Sequence, residues 1–400
     1  MIYFVVFLYL LFGVIIYDTY EKKRYFKFHY AVLYVLFTLI AGVRWRLGVD
    51  TVNYMHYFAY DMLPLSEFSL GYIVESKFQP FWLLLNALCK SIDSFTLLQI
   101  LTSAFFHGAV FCFFYRCCRK PFTALSIFFI YNYFYFSMEI MRESLAISCF
   151  LFGVMALDKG SLSKYYVWAL CAFMFHFFAI FLLFLPFCFR ILKKENSLGR
   201  YILIVVLAFF AWINFKEVIL LQVINLFPLN MSYKVLGLVS GAMSTNSWNI
   251  KGLMYNMFPL FIIITFLYFY RRGTCKDLFV MRKKHVWLSC VLLYAVVLLI
   301  CLDMPIIHRF SNYVYLMVII LYSSCMYAFC LNRRTQAVFV SFCLLCMLGI
   351  RVYLLTRPDC WFDGYHLRIH PYAAYYPYTS IFDKRETRER QVLHSYWGDQ

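Results

Sequence analysis

Three stretches place guanidinium groups in an otherwise apolar chain: GVRWRLGVDTVNY at 42–54, SMEIMRESLAIS at 137–148 and HRFSNY at 308–313. The first carries Arg44, Arg46 and Asp50, the second Glu139, Arg142 and Glu143, and the third His308 and Arg309. A guanidinium donates two parallel hydrogen bonds from a rigid fork, a geometry that suits phosphate. Three such stretches point to an anionic ligand, with a lipid-linked pyrophosphate as the natural candidate. Asp50 could orient an arginine or accept a proton. His176, within FMFHFFAIF, adds an imidazole that titrates near neutral pH.

Each group also has a plainer reading. Arg44 and Arg46 could snorkel from a helix end to the headgroups. Glu139, Arg142 and Glu143 are spaced so that one helix stacks them on one side, as a salt-bridged cap. A charge at the centre of a membrane helix costs on the order of 2.5–3.5 kcal/mol, and less near the interface. What these residues can do therefore depends on the elements that carry them.

The sequence is 64% hydrophobic and 14% charged, with a mean hydropathy of +0.71. That composition excludes an ordinary soluble domain, and the long apolar blocks exclude a strand barrel. The expected fold is all-α, a polytopic transmembrane bundle of about 10–12 spans. Candidate spans are 1–17, 28–43, 94–115, 121–137, 141–157, 164–189, 201–213, 255–270, 286–302, 310–331 and 336–355. The first has no basic start and no small-residue cleavage site, so it reads as a retained helix. The expected domains are a transmembrane region, 1–355, with outer loops 44–93 and 214–254, and an extracytoplasmic tail, 356–400.

The net charge of +17 would suggest nucleic acid in a soluble protein. Here the basic residues sit in short connections: EKKRYFK, RCCRK, DKGSLSK, RILKKENSLGR, RRGTCKDLFVMRKKH and NRR. The positive-inside rule puts all six in the cytoplasm. A single crossing by 164–189 would invert every later loop. Two half-helices turning at His176 remove the conflict, whereas one tilted helix with a satisfied histidine leaves it in place. With the hairpin, the arginine stretches, Glu75, His176 and the tail share the outer face.

Other signals are weaker. The segment 78–90 is too short to cross and reads as an interfacial helix. The 214–254 loop reads as a lid or a solvated connector. The tail HPYAAYYPYTSIFDKRETRERQ reads as poorly ordered at its end, with tyrosines for sugar rings or headgroups. The 15 cysteines lie mostly in apolar runs and form no disulfide framework. The chain contains no D-x-D, H-E-x-x-H, P-loop or G-x-S-x-G, so neither a metal nor a cofactor is expected.

The 42–54 block, a glutamate and aromatics near 75–82, MEIMRESLAIS, the FH within a span and the closing PYAAYYPY together resemble the EpsG family of exopolysaccharide polymerases, grouped with the Wzy-type polymerases. Their shared order carries the resemblance. It implies a multi-pass enzyme of the bacterial inner membrane, metal-independent and with its active face extracytoplasmic. Such an enzyme transfers a growing glycan from undecaprenyl pyrophosphate onto a hydroxyl of a lipid-linked repeat unit. The implied partners are undecaprenyl-pyrophosphate-linked oligosaccharides and membrane lipid, with a chain-length regulator left open and no nucleic acid. Position by position the resemblance points to Arg44, Gly48, Asp50, Thr51, Tyr54, Glu75, Arg142 and His176, and less firmly to Arg309.

The expected catalytic residues are His176, Asp50 and Arg142. The expected substrate contacts are Arg44, Arg46, Thr51, Tyr54, Glu75, Glu143, His308 and Arg309. Two alternatives stay open. One is a glycosyltransferase using a polyprenyl-phosphate sugar, which would employ Asp50 and Glu75. The other is a flippase for the same lipid, although no duplicated halves are visible.

Overall fold

The computed structural model describes residues 2–191, 203–215, 259, 263–264, 284–301, 308–328, 332–357 and 370–398. The chain forms two compact units, residues 1–183 with 329–400, and residues 184–328. In chain order, α1 (Ile2–Gly13) continues through a π-helical turn at Val14–Thr19, and α2 (Phe26–Gly42) follows. Three short helices come next: α3 (Val49–Tyr60), α4 (Leu70–Glu75) and α5 (Pro80–Lys90). Then come α6 (Phe95–Cys117), α7 (Pro121–Tyr131), α8 (Met141–Asp158) and α9 (Leu162–Phe175). The second unit contains α10 (Leu185–Ile191), α11 (Leu203–Phe215), α12 (Lys284–Ile300) and α13 (His308–Ala328). The first unit resumes with α14 (Arg333–Thr356) and ends with α15 (Arg388–Gly398).

The helix starts follow from the sequence. Ser94, Ser161 and Asn332 each accept a hydrogen bond from a backbone N–H of the first turn they precede. Pro80 and Pro121 stand at first helical positions, where no backbone donor is needed. Four helical stretches are long and apolar enough to cross a membrane: Ile2–Thr19, Phe95–Cys117, His308–Ala328 and Arg333–Thr356. Shorter apolar helices accompany them, and by helix length and composition the chain is a multi-pass membrane protein. The expected 255–270 span falls mostly outside the described residues, as does the 214–254 loop beyond residue 215.

The expected break at His176 is present. α9 ends at Phe175, His176 is extended, and a 3-10 helix runs over Phe177–Leu183. The Tyr165 hydroxyl donates to the Leu182 carbonyl at 2.7 Å. A continuous helix would hold those two residues roughly 25 Å apart along its axis, so the chain doubles back.

Two local expectations are corrected. The segment around Glu139 and Arg142 is not one helix, because α7 stops at Tyr131, a π-helical turn covers Tyr135–Glu139, and Ile140 breaks the backbone before α8. Glu139 and Arg142 therefore do not share a helix face. Residues 370–398 of the tail are folded, since they belong to the first unit and finish in α15. Their short backbone hydrogen bonds to the 43–48 turn explain the order: Ile381 to Val43, Trp45 to Thr379 and Gly48 to Ala374, each 2.9 Å.

Charge sorts to the two ends of α1. Near its C-terminal end, Glu21 pairs with Lys120 at 3.0 Å and with Arg333 at 3.4 Å, which brings three of the basic connections together. Near its N-terminal end, the Tyr3 hydroxyl donates to the Tyr375 carbonyl at 3.0 Å, beside the turn that holds Arg44.

Candidate functional site

The turn between α2 and α3 is built around Arg44, which is 1% exposed. Its guanidinium donates to the carbonyls of Ala41, Leu47 and Met138 and to the Thr51 hydroxyl. Burial lowers its pKa to about 10, with Glu139 acting in the opposite direction, so it remains a cation at neutral pH. Thr51 in turn donates to Leu47 and Met138. Gly48 closes the turn at φ +92, where an added Cβ would lie 2.9 Å from the Met138 oxygen. Only glycine fits both that torsion and that approach.

Glu139 then caps α3 from another part of the chain. Its carboxylate accepts from the Val49 N–H at 3.0 Å, the Asp50 N–H at 2.8 Å and the Tyr375 hydroxyl at 2.7 Å. An anion belongs there, because the first N–H groups of a helix are unpaired and its dipole is positive at that end. Burial and the neighbouring carboxylate hold the Tyr375 hydroxyl well above its ordinary pKa, so it stays a donor. Arg390 locks the tail from behind, donating to Ala373, Pro377 and Thr379.

Arg142 opens α8 and lies close by, but in a different state. Its guanidinium carbon stands 4.9 Å over the Phe78 ring, a cation–π contact. The Tyr54 hydroxyl is beside both the Arg142 guanidinium and the Arg142 backbone N–H. Burial raises the Tyr54 pKa, Arg142 pulls it back, and Asp50 is close enough to raise it further. The Nε of Arg142 is buried and has no partner among the described residues. The same holds for the Nε1 of Trp82, whose ring packs 5.6 Å from that of Tyr54, and for the Oε1 of Gln79. Two donors and an acceptor are thus left unspent where α3, α5 and the start of α8 meet. Buried polar atoms are almost always hydrogen-bonded, so this cluster marks a place for a ligand or water.

The structure brings Arg44, Asp50, Thr51, Tyr54 and Arg142 together. Arg46 lies at the rim and pairs with Glu386 at 2.7 Å. His176 is 7% exposed, and the preceding Phe175 packs on Phe81 of α5 at 5.5 Å, which draws the α9 break toward the same helix. Glu143 is buried on α8, whereas Glu75 is exposed at the end of α4. His308 and Arg309 open α13 in the other unit, both exposed. Among the described residues no three His, Cys, Asp or Glu side chains are grouped to hold a metal.

Sequence reasoning missed Glu139 as the cap of α3, and also missed Tyr375, Gln79 and Trp82. Glu139 was visible only as a neighbour of Arg142 in the chain. By sequence the tail tyrosines suit sugars or headgroups, yet Tyr375 holds Glu139 and Tyr378 donates to the Ile40 carbonyl at 3.1 Å.

A sequence profile described as the EpsG family matches residues 27–380, most of the chain. No curated protein and no solved structure matches it.

Proposed function

The chain belongs to the EpsG family of membrane proteins linked to exopolysaccharide biosynthesis, and from that premise we propose that it is a polysaccharide polymerase. It moves a growing glycan from undecaprenyl pyrophosphate onto a hydroxyl of a lipid-linked repeat unit, at the outer leaflet of the bacterial cytoplasmic membrane. The observation that carries this reading is the unspent polar cluster around Arg142, Trp82 and Gln79, beside Tyr54 and Asp50.

In the reaction the bond from the anomeric carbon to the diphosphate oxygen breaks, and a bond to the acceptor hydroxyl oxygen forms. The diphosphate leaves with the electron pair. Arg142 stabilises the developing charge, with the Trp82 N–H as a neighbouring donor. The acceptor proton passes to His176, the residue at the break after α9. Asp50 sits in the first turn of α3, close to Tyr54. Its role is to orient the incoming hydroxyl. Arg44 and Thr51 are positioning residues, since their polar atoms are engaged by protein.

The test is a reconstituted assay with purified lipid-linked oligosaccharide. Wild type is expected to produce a ladder of longer glycans, and His176→Ala to lose elongation while staying folded. Addition of one sugar from a polyprenyl phosphate, with no ladder, would overturn the reading. So would transfer of substrate across a vesicle membrane without new glycosidic bonds.

A further inference from the structure

The unpartnered Nε of Arg142 has a counterpart on α14. Arg351 lies near the end of α14, and most of that helix is exposed: Val338 is 72% exposed, Phe342 64% and Tyr353 65%. Its fully buried residues are Val340 and Leu344. Arg351 follows Leu344 by seven residues and so continues the stripe that faces the protein. It is itself half-buried. α14 carries no Asp or Glu, so no carboxylate on the helix answers it. Its Nε is buried and unpartnered among the described residues.

The tail fixes what lies next to it. The His370 ring is 2.8 Å from the Thr356 carbonyl at the end of α14, and the 371–374 turn packs against that helix. Tyr375 follows, with its hydroxyl on Glu139 at 2.7 Å. Arg351 and Asp50 both act electrostatically on Tyr375, just as Arg142 and Asp50 both act on Tyr54. Arg351 and Arg142 therefore approach the start of α3 by different neighbours. Three neighbouring arginines are engaged: Arg44 and Arg390 by carbonyls and hydroxyls, Arg46 by Glu386.

A polymerase joining two lipid-linked glycans must hold two diphosphates, one that leaves and one that stays. Resting on the function proposed above, we propose that Arg351 forms a second anion-binding position, which takes the diphosphate of the acceptor lipid while Arg142 takes that of the donor. The shared chemistry is a lipid phosphate at the membrane surface. An arginine that merely snorkels would accept any anionic headgroup.

The test counts bound lipid on full-length protein in nanodiscs. With undecaprenyl diphosphate as probe, native mass spectrometry is expected to find two molecules on wild type and one on each of Arg142→Ala and Arg351→Met. Phosphatidylglycerol is not expected to compete at equal concentration. Kinetically, Arg351→Met should raise KM for the acceptor lipid about tenfold, the loss of one charge-assisted hydrogen bond, with donor KM unchanged. Thermal melting of Arg351→Met alongside wild type establishes that it folds, and Arg351→Gln, which also removes the charge, serves as a second variant if it does not. Two lipids still bound to a folded Arg351 variant, or full competition by phosphatidylglycerol, would overturn the second site. Loss of one lipid at Arg351 in a protein that never elongates glycan would instead retain the site and overturn the polymerase reading.

Discussion

Arg44 and Arg142 reach the same short segment of chain from two directions, yet they are spent in opposite ways. Arg44 donates to Met138, at one end of the 138–142 break, and to three further protein acceptors. Arg142, at the other end, rests on Phe78 and keeps a buried Nε with no partner. Arg44 is buried and Arg142 half-buried, and the two cations are used differently. One surrounded by carbonyls is a structural joint, and its donors are satisfied in place. One that keeps a buried Nε unpaired bears a cost that a ligand would remove, which is a reason to look for a ligand there. Glu139 links the two regions, since it caps α3 on the Arg44 side and sits three residues before Arg142.

The largest expected effect breaks the comparison on the Arg44 side. Arg44→Ala strands the Ala41 carbonyl, at about 1–3 kcal/mol for a buried group left without a partner, and leaves the Leu47 and Met138 carbonyls to share the single Thr51 hydroxyl proton. The expected outcome is loss of a monodisperse peak in size-exclusion chromatography. A stable, well-folded Arg44→Ala protein with an isolated defect in turnover would reverse the assignment.

Next comes Arg142→Ala. Removing one donor of developing charge costs about 3 kcal/mol, or two to three decades in rate. Elongation should fall by that factor while the melting temperature stays within a few degrees of wild type. Wild-type polymer length in this variant would remove Arg142 from the site.

Gly48→Ala should be milder. A side chain at φ +92, with its Cβ 2.9 Å from the Met138 oxygen, costs about 2 kcal/mol in strain. Thermal melting is the measure, and an unchanged midpoint would mean that the turn relaxes freely.

The smallest effect is expected from Tyr375→Phe. It removes one of three hydrogen bonds to Glu139, worth about 1 kcal/mol, and leaves the Val49 and Asp50 N–H groups in place. A few-fold loss of elongation with normal expression is the expected result. Complete inactivation would make the tail part of the reacting centre instead of its support.

Several features were legible in the chain itself. Apolar runs long enough to cross a bilayer, separated by basic connections, announce a helical membrane protein, because the cost of placing a polar backbone or charge in hydrocarbon is large and local. The break at His176 was legible for a related reason, since an overlong apolar run with a polar residue in its middle conflicted with the charge of every loop after it. The 42–54 block and the 137–148 block stood out because their charges lie where apolar runs end.

What only the tertiary structure decided was which of those charges is free to work. Arg44 and Arg142 look alike in sequence, each an arginine beside a helix end with an acid nearby. They differ because three carbonyls and the Thr51 hydroxyl surround one guanidinium, while the other rests on the Phe78 ring beside Tyr54 and keeps an unpaired Nε. The ordered tail and the cap that Glu139 places on α3 come from partners 89 or more residues apart. Hydropathy is a property of neighbouring residues, whereas the satisfaction of a hydrogen bond depends on which distant groups the fold delivers.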